Sequence, residues 1–140
     1  MEKHFVYETR RLTEEIMKTI AYLEGTDPEF LTKLVCRGYR TLPIGNKADG
    51  RGKYIAYISV ADEIDLIVGY FHKVSPHPTV TNSLKELLTP GIIHNIPILL
   101  LAPEEVKSEA EKILADATDS PSIKVIDSKH LMEEALKILK

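Results

Sequence analysis

The sequence predicts an α/β domain with three layers and a small, mostly parallel sheet, and three observations predict it. Two short apolar runs, Asp65-Leu-Ile-Val-Gly-Tyr-Phe71 and Ile96-Pro-Ile-Leu-Leu-Leu101, have strand length and no helical period. Uninterrupted apolar strands are those covered on both faces, as in a parallel sheet between helical layers. Between and after these runs, apolar residues recur at helical spacing, so strands and helices alternate as in βαβ units.

At 140 residues the chain can enclose a core and fits one domain, residues 1–140, better than two. Apolar residues make up 44% and charged residues 28%, which places it among ordinary globular chains rather than disordered ones. The formal net charge of −3 provides no global basic field, so neither nucleic acid nor an anionic membrane is an expected partner. The single cysteine, Cys36, allows no internal disulfide and fits a reducing compartment. Met1 to Arg11 lacks the apolar stretch of a signal peptide. Thr89 to Pro103, the longest nearly uncharged run, is too short for a membrane span and is broken by prolines. A cytoplasmic protein is the expectation.

Residues 1–17 are expected to form an additional N-terminal helix ahead of a core at 18–140. Thr13-Glu-Glu-Ile-Met-Lys begins it, and two readings follow. Either the helix continues to Leu23 with Ile16, Ile20 and Leu23 on one side, or it stops near Met17 and Thr19-Ile-Ala-Tyr-Leu23 is the first strand. Periodicity over so short a stretch leaves both open. Asp27-Pro28-Glu29 is a helix start, with Asp27 as cap and Pro28 in the first turn. Phe30, Leu31, Leu34 and Val35 form its expected buried stripe, and Gly38 closes it. Cys36 lies near the helix C-terminus, where a thiolate is disfavoured, so a buried structural thiol is expected. Tyr39 to Ile44 alternates as a strand, Gly45 to Gly52 is a polar turn, and Lys53 to Val60 reads as extended again.

After the strand at 65–71, Thr81 to His94 carries Leu84, Leu87, Leu88 and Ile92 at helical spacing, with Thr81 or Asn82 as cap. Pro90-Gly91 should disturb its last turn. Pro97 belongs at the entry of the next strand because it has no N–H to donate. Pro103-Glu-Glu opens a helix reaching Ala117, with Val106, Ala110, Ile113 and Leu114 as its apolar stripe. Asp116 to Ser122 is a loop and Ile123-Lys-Val-Ile126 a short strand. Asp127-Ser128 leads into a last helix that buries Leu131, Ala135, Leu136 and Leu139. The crossovers should be right-handed.

Lys18-Thr-Ile-Ala-Tyr-Leu, Asp27-Pro-Glu-Phe-Leu-Thr-Lys-Leu and Arg37-Gly-Tyr-Arg-Thr-Leu-Pro-Ile-Gly-Asn-Lys-Ala-Asp49, followed by Ser59-Val-Ala-Asp-Glu-Ile-Asp-Leu-Ile67, occur in a telling order. This order resembles the small CoA-binding Rossmann domains related to the N-terminal domain of succinyl-CoA synthetase α chains. The resemblance runs from Lys18 to Ala117 and implies a Rossmann-like fold, the strand reading for 19–23, and CoA as ligand. The chain departs from that family at the first turn, Glu24-Gly25-Thr26-Asp27, which has one glycine and two carboxylates where the family has glycine and small residues. The layout also resembles nucleoside deoxyribosyltransferase-like proteins, on Asp62-Glu-Ile-Asp-Leu-Ile-Val68 and His94-Asn-Ile-Pro-Ile98. That family needs a catalytic glutamate on the intervening helix, where this chain has only Glu86, without the small residues that usually precede it.

In open α/β sheets ligands gather beyond the carboxyl ends of the strands. Gly25 and Thr26, Asn46 and Lys47, and His72, Lys73, Ser75 and His77 fall there and are the candidate ligand-binding residues. His72 and Lys73 suit a phosphate and Ser75 a hydrogen bond to one, while a histidine also serves general acid–base chemistry near neutral pH. Lys47 and Arg51 among glycines suit an anion, without the length or ending of a P-loop. Arg40 is a further candidate contact. His72 and His77 lack partners at metal-ligand spacing, so no metal site is assigned, and no catalytic residue is assigned either. Three functions follow: a module binding CoA or a nucleotide, an enzyme on a nucleotide or phosphorylated metabolite, or a homo-oligomeric interaction protein with no small ligand.

Overall fold

The structure is a computed structural model in which residues 17–47, 52–75 and 83–140 are described. The expected helix over 1–17 falls almost wholly outside them. The strands are β1 (Thr19–Tyr22), β2 (Arg40–Gly45), β3 (Lys53–Tyr54), β4 (Leu66–Tyr70), β5 (Ile98–Leu101) and β6 (Ile123–Ile126). They form one six-stranded sheet in the order β3-β2-β1-β4-β5-β6, with every pairing parallel. This is the strand order of a Rossmann-like doubly wound sheet.

Side chains alternate between the two faces of the sheet and meet a separate core on each. Ala21, Ile67, Ile98 and Leu100 face one core with Leu23, Leu88, Ala110 and Leu114. Ile20, Leu66, Val68, Leu99 and Leu101 face the other with Phe30, Leu34, Leu131 and Ala135. Helices α1 (Pro28–Cys36) and α5 (Leu131–Leu139) cover the second face. Helices α2 (Leu84–Leu87), α3 (Thr89–Ile93) and α4 (Lys107–Ala117) cover the first. Burial on both sides explains why β4 and β5 are unbroken apolar runs, and each fully buried Leu or Ile contributes about 1.5–3 kcal/mol.

Residues 19–22 are a strand, which settles the two sequence readings of that segment. Ile20 registers with Thr41 on one side and Leu66 on the other. The strand entry is pinned from a distance: Thr19 N–H donates to Asp65 Oδ2 at 2.9 Å, and Asp65 N–H donates to Thr19 O at 2.9 Å. A helix across this stretch would leave Ile20 and Ala21 unable to join opposite cores.

Elsewhere the structure departs from the sequence expectations in four places. Only Lys53–Tyr54 of the expected extended segment pairs as strand, and 3₁₀ turns follow at Ile55–Tyr57 and Val60–Asp62. Ile55 and Ile58 are fully buried, and turning lets residues three apart enter one core. A capping box closes the second turn, with Ser59 N–H donating to Asp62 Oδ2 at 2.9 Å. The helix expected at 81–94 is two short helices because Pro90 has no N–H for a continuous ladder, and Ser83, rather than Thr81 or Asn82, caps α2. The helix opened by Pro103 starts as a 3₁₀ turn, Glu104–Val106, before α4.

The fourth departure is in the helical stripes. On α1 only Phe30 and Leu34 are buried, while Val35 is 52% exposed and Cys36, the last helical residue, is exposed rather than a buried thiol. The helix rests on the sheet along one i, i+4 row, and Val35 and Cys36 rotate away from it. Ile113 of α4 is likewise 45% exposed. Among the described residues no helix is long and apolar enough to cross a membrane.

Candidate functional site

The chain runs from β1 outward through β2 to β3, then returns to the other side of β1 and continues through β4, β5 and β6. The direction therefore reverses between β1 and β4, the switch point at whose carboxyl side doubly wound sheets have their binding crevice. Leu23 N–H donates to Val68 O at 3.0 Å, which extends the pairing to the crevice floor. Glu24 to Asp27 then turns into α1. The Thr26 hydroxyl donates to Leu23 O at 2.7 Å, buried, and Gly25 sits at φ +91, where a side chain would be strained. Asp27 caps α1 by accepting Glu29 N–H at 3.0 Å.

Two other loops close on this turn. After β4, Phe71–Lys73 forms a 3₁₀ turn in which Val74 and Ser75 N–H groups both donate to Phe71 O. After β2, the Asn46 amide reaches across and donates to Lys73 O at 2.8 Å, tying the β2 loop to the β4 loop over the end of β1. The Lys73 ammonium lies 3.8 Å from Glu24 Oε1, and its stem passes Gly25. Gly25, Thr26, Asn46 and Lys73 are thus brought together. Lys47 follows Asn46 at φ 82, its ammonium 5.7 Å from the centre of the Tyr54 ring, and Ser75 ends the described part of the β4 loop. His77 and Arg51 lie outside the described residues.

Arg40 is not part of this group. It is the first residue of β2 and registers with Thr19, so it belongs to the opposite, amino edge of the sheet. A hollow of about 750 Å³ opens at that edge, lined by Arg40, Asp62, Glu63, Asp65 and His94 among others. Two of its acids have structural partners: Asp65 holds Thr19 N–H, and Asp62 pairs with Lys53 Nζ at 2.8 Å. Size alone does not make it the binding site, because a parallel doubly wound sheet presents its loop crevice at the other edge.

The charge distribution differs from that of a diphosphate-binding turn. The positive end of the α1 dipole is already met by the Asp27 carboxylate, with Glu29 in the first turn and Glu24 just before it. Positive charge comes instead from Lys47 and Lys73, on the loops after β2 and β4. Tyr54, registered with Gly45 at the end of β3, has a buried hydroxyl without a hydrogen-bond partner. Burial, then the negative charge of Glu86 and the neighbouring Tyr57, raise its pKa, so the phenol stays a neutral donor. Sequence reasoning missed this group, since a tyrosine in a strand carries no local sign of being left unpaired.

A second opening of about 380 Å³ adjoins the carboxyl ends of β4 and β5. Tyr70, Phe71, Leu101, Pro103, Val106 and Ala110 give it apolar walls, and the polar side chains at it are His72 and Ser128. His72, exposed, thus lines this pocket, its ring 5.9 Å from that of Tyr70. Beyond β6, Asp127 caps the following turn and accepts from His130 N–H at 3.2 Å, and the two side chains meet at 2.8 Å through His130 Nδ1. Burial alone would raise the Asp127 carboxyl, but hydrogen bonding by the His130 ring and backbone N–H groups outweighs it and holds the carboxyl below its ordinary value.

No family model matches the chain, and no curated protein matches it. What the structure supports of the resemblance to CoA-binding Rossmann domains is the fold: a six-stranded parallel sheet between helical layers, in Rossmann-like order.

Proposed function

We propose that the protein is a small-molecule binding module that takes an anionic ligand of the CoA or nucleotide class at the carboxyl edge, between β1 and β4. The observation that carries this reading is the joining of the loops after β2 and β4 over the end of β1 by the Asn46–Lys73 hydrogen bond. That bond fixes the loop bearing Lys73 and the loop bearing Lys47 relative to each other, and Lys73 meets the turn before α1 through Glu24 at 3.8 Å. A phosphate on this edge is drawn to the two lysines and kept off the α1 N-terminus by Asp27, Glu29 and Glu24.

A thermal-shift titration with CoA, ATP and NAD tests the reading. A ligand at a hundred times its Kd stabilises by about 2.7 kcal/mol, a rise of roughly 8 °C for a chain of this size. The rise should be lost in Lys73→Met, which keeps the apolar stem and removes the charge. No rise with any of the three ligands would overturn the proposal. A second reading, self-association, draws on Tyr57 and Val60 on the two 3₁₀ turns and Ile93 at the end of α3 beside the first of them, each 66–70% exposed. Light scattering at several protein concentrations tests it, and a monomer throughout would refute it.

A further inference from the structure

We infer that the apolar pocket beside the crevice is a ring-binding subsite, which takes the aromatic heterocycle of a ligand whose anionic end lies at Lys73. This rests on the proposed binding at the carboxyl edge and adds which part of the ligand goes where. Its volume of about 380 Å³ and largely apolar walls are those of a small-molecule site with a few orienting polar groups.

Three features favour a flat ring. The rings of Tyr70 and His72 stand 5.9 Å apart with a 37° tilt, so a third ring can pack edge-on or offset against them. Ala102 and Ala110, both buried, leave the inner wall without bulky side chains. The Ser128 hydroxyl and the His72 imidazole supply hydrogen bonds for ring nitrogens or an exocyclic group. Val106 on the rim is 41% exposed and remains apolar surface for a ring to cover.

The pocket also adjoins the Lys73 region along the chain. Phe71, His72 and Lys73 form one 3₁₀ turn: Phe71 and His72 wall the pocket, and Lys73 faces Glu24 and Gly25 in the crevice. Consecutive Cα atoms are about 3.8 Å apart, so a ring and an anion joined by a sugar-sized spacer reach both places. The ring then lies on the β4–β5 side of the switch point, away from the acidic turn before α1.

The test is a set of titrations followed by backbone amide NMR with four probes: adenosine, ribose 5-phosphate, AMP and octanoate. The wild type is compared with Val106→Glu, which adds a charge at an already exposed rim position, and with Lys73→Met. Adenosine affinity should fall at least tenfold in Val106→Glu while ribose 5-phosphate binding is unchanged, and Lys73→Met should do the reverse. AMP should be weakened by both. If AMP binds but Val106→Glu leaves it and adenosine unchanged, the pocket assignment fails and the crevice reading stands. If octanoate rather than adenosine shifts the pocket signals, the occupant is a chain and the inference is wrong. If no probe binds and CoA and ATP also fail, both readings fall.

Discussion

Gly69→Ala is the sharpest test of how β1 and β4 meet under the crevice. A Cβ on Gly69 would lie 2.6 Å from Leu23 Cδ1, 2.9 Å from its Cβ and 3.1 Å from its Cγ. Carbon atoms pack best at about 3.5–4.0 Å, so relief requires a movement of roughly 1 Å. Because the Leu23 Cβ is among the clashing atoms, a rotamer change cannot relieve the contact and the backbone of Leu23 has to shift. That backbone is held by Leu23 N–H to Val68 O at 3.0 Å, and its carbonyl receives the Thr26 hydroxyl. Overpacking of this kind costs about 1–3 kcal/mol, and the upper half of that range applies because Leu23 is fully buried. For a chain of this size the loss is a fall in Tm of roughly 6–10 °C, measured by calorimetry or circular dichroism. In a Leu23→Gly background the same change should cost much less, since all three clashing atoms are gone. An unchanged Tm in the single variant, or an equal loss in both backgrounds, would refute the close approach.

Asp65→Ala removes the acceptor for Thr19 N–H and should destabilise by about 1–3 kcal/mol in urea denaturation, with Asp65→Asn losing less because it keeps a carbonyl oxygen there. Asn46→Ala should cost about 1 kcal/mol and move the amide signals of Lys73 and its neighbours, and silence at those signals would show that the loops are not tied. Lys53 holds the Asp62 carboxyl below its ordinary pKa chiefly by a hydrogen bond, helped by Ser59 N–H. The stability this contributes is present above the unfolded carboxyl value near ~3.9 and is lost as pH falls through the folded value. Lys53→Met should therefore cost about 0.5 kcal/mol at neutral pH, small because the pair is partly exposed, and the difference from wild type should vanish in acid. A difference that persisted below the carboxyl range would assign it to packing instead.

β4 and β5 were legible because burial on both faces leaves them no polar residue to alternate with. β1 was not, because Thr19 to Leu23 satisfies either period and the contact that decides it comes from Asp65, 46 residues away. The segment after β3 misled for a related reason: Ile55 and Ile58 fit an extended reading, yet they enter the core from a 3₁₀ turn and its exit. Gly25, Thr26, Asn46, Lys47 and Lys73 could be grouped from the sequence since parallel strands deliver their following loops to one edge. What each side chain bonds to was not legible, as with the Asn46 amide on Lys73 O. The apolar pocket was missed because Leu101, Ala102, Val106 and Ala110 read as ordinary core or helix-stripe residues until the fold leaves a space between them. Arg40 was misplaced by its charge, which says nothing about the strand end it occupies.

The most direct measurement of binding at the carboxyl edge is an amide NMR titration of the wild-type protein with ATP and with CoA. Signals of Gly25, Thr26, Lys47 and Lys73 should move together and saturate, while those of Thr19, Arg40 and Asn95 at the opposite edge stay in place. No shifts with either ligand, or shifts confined to the amino-edge hollow, would contradict it.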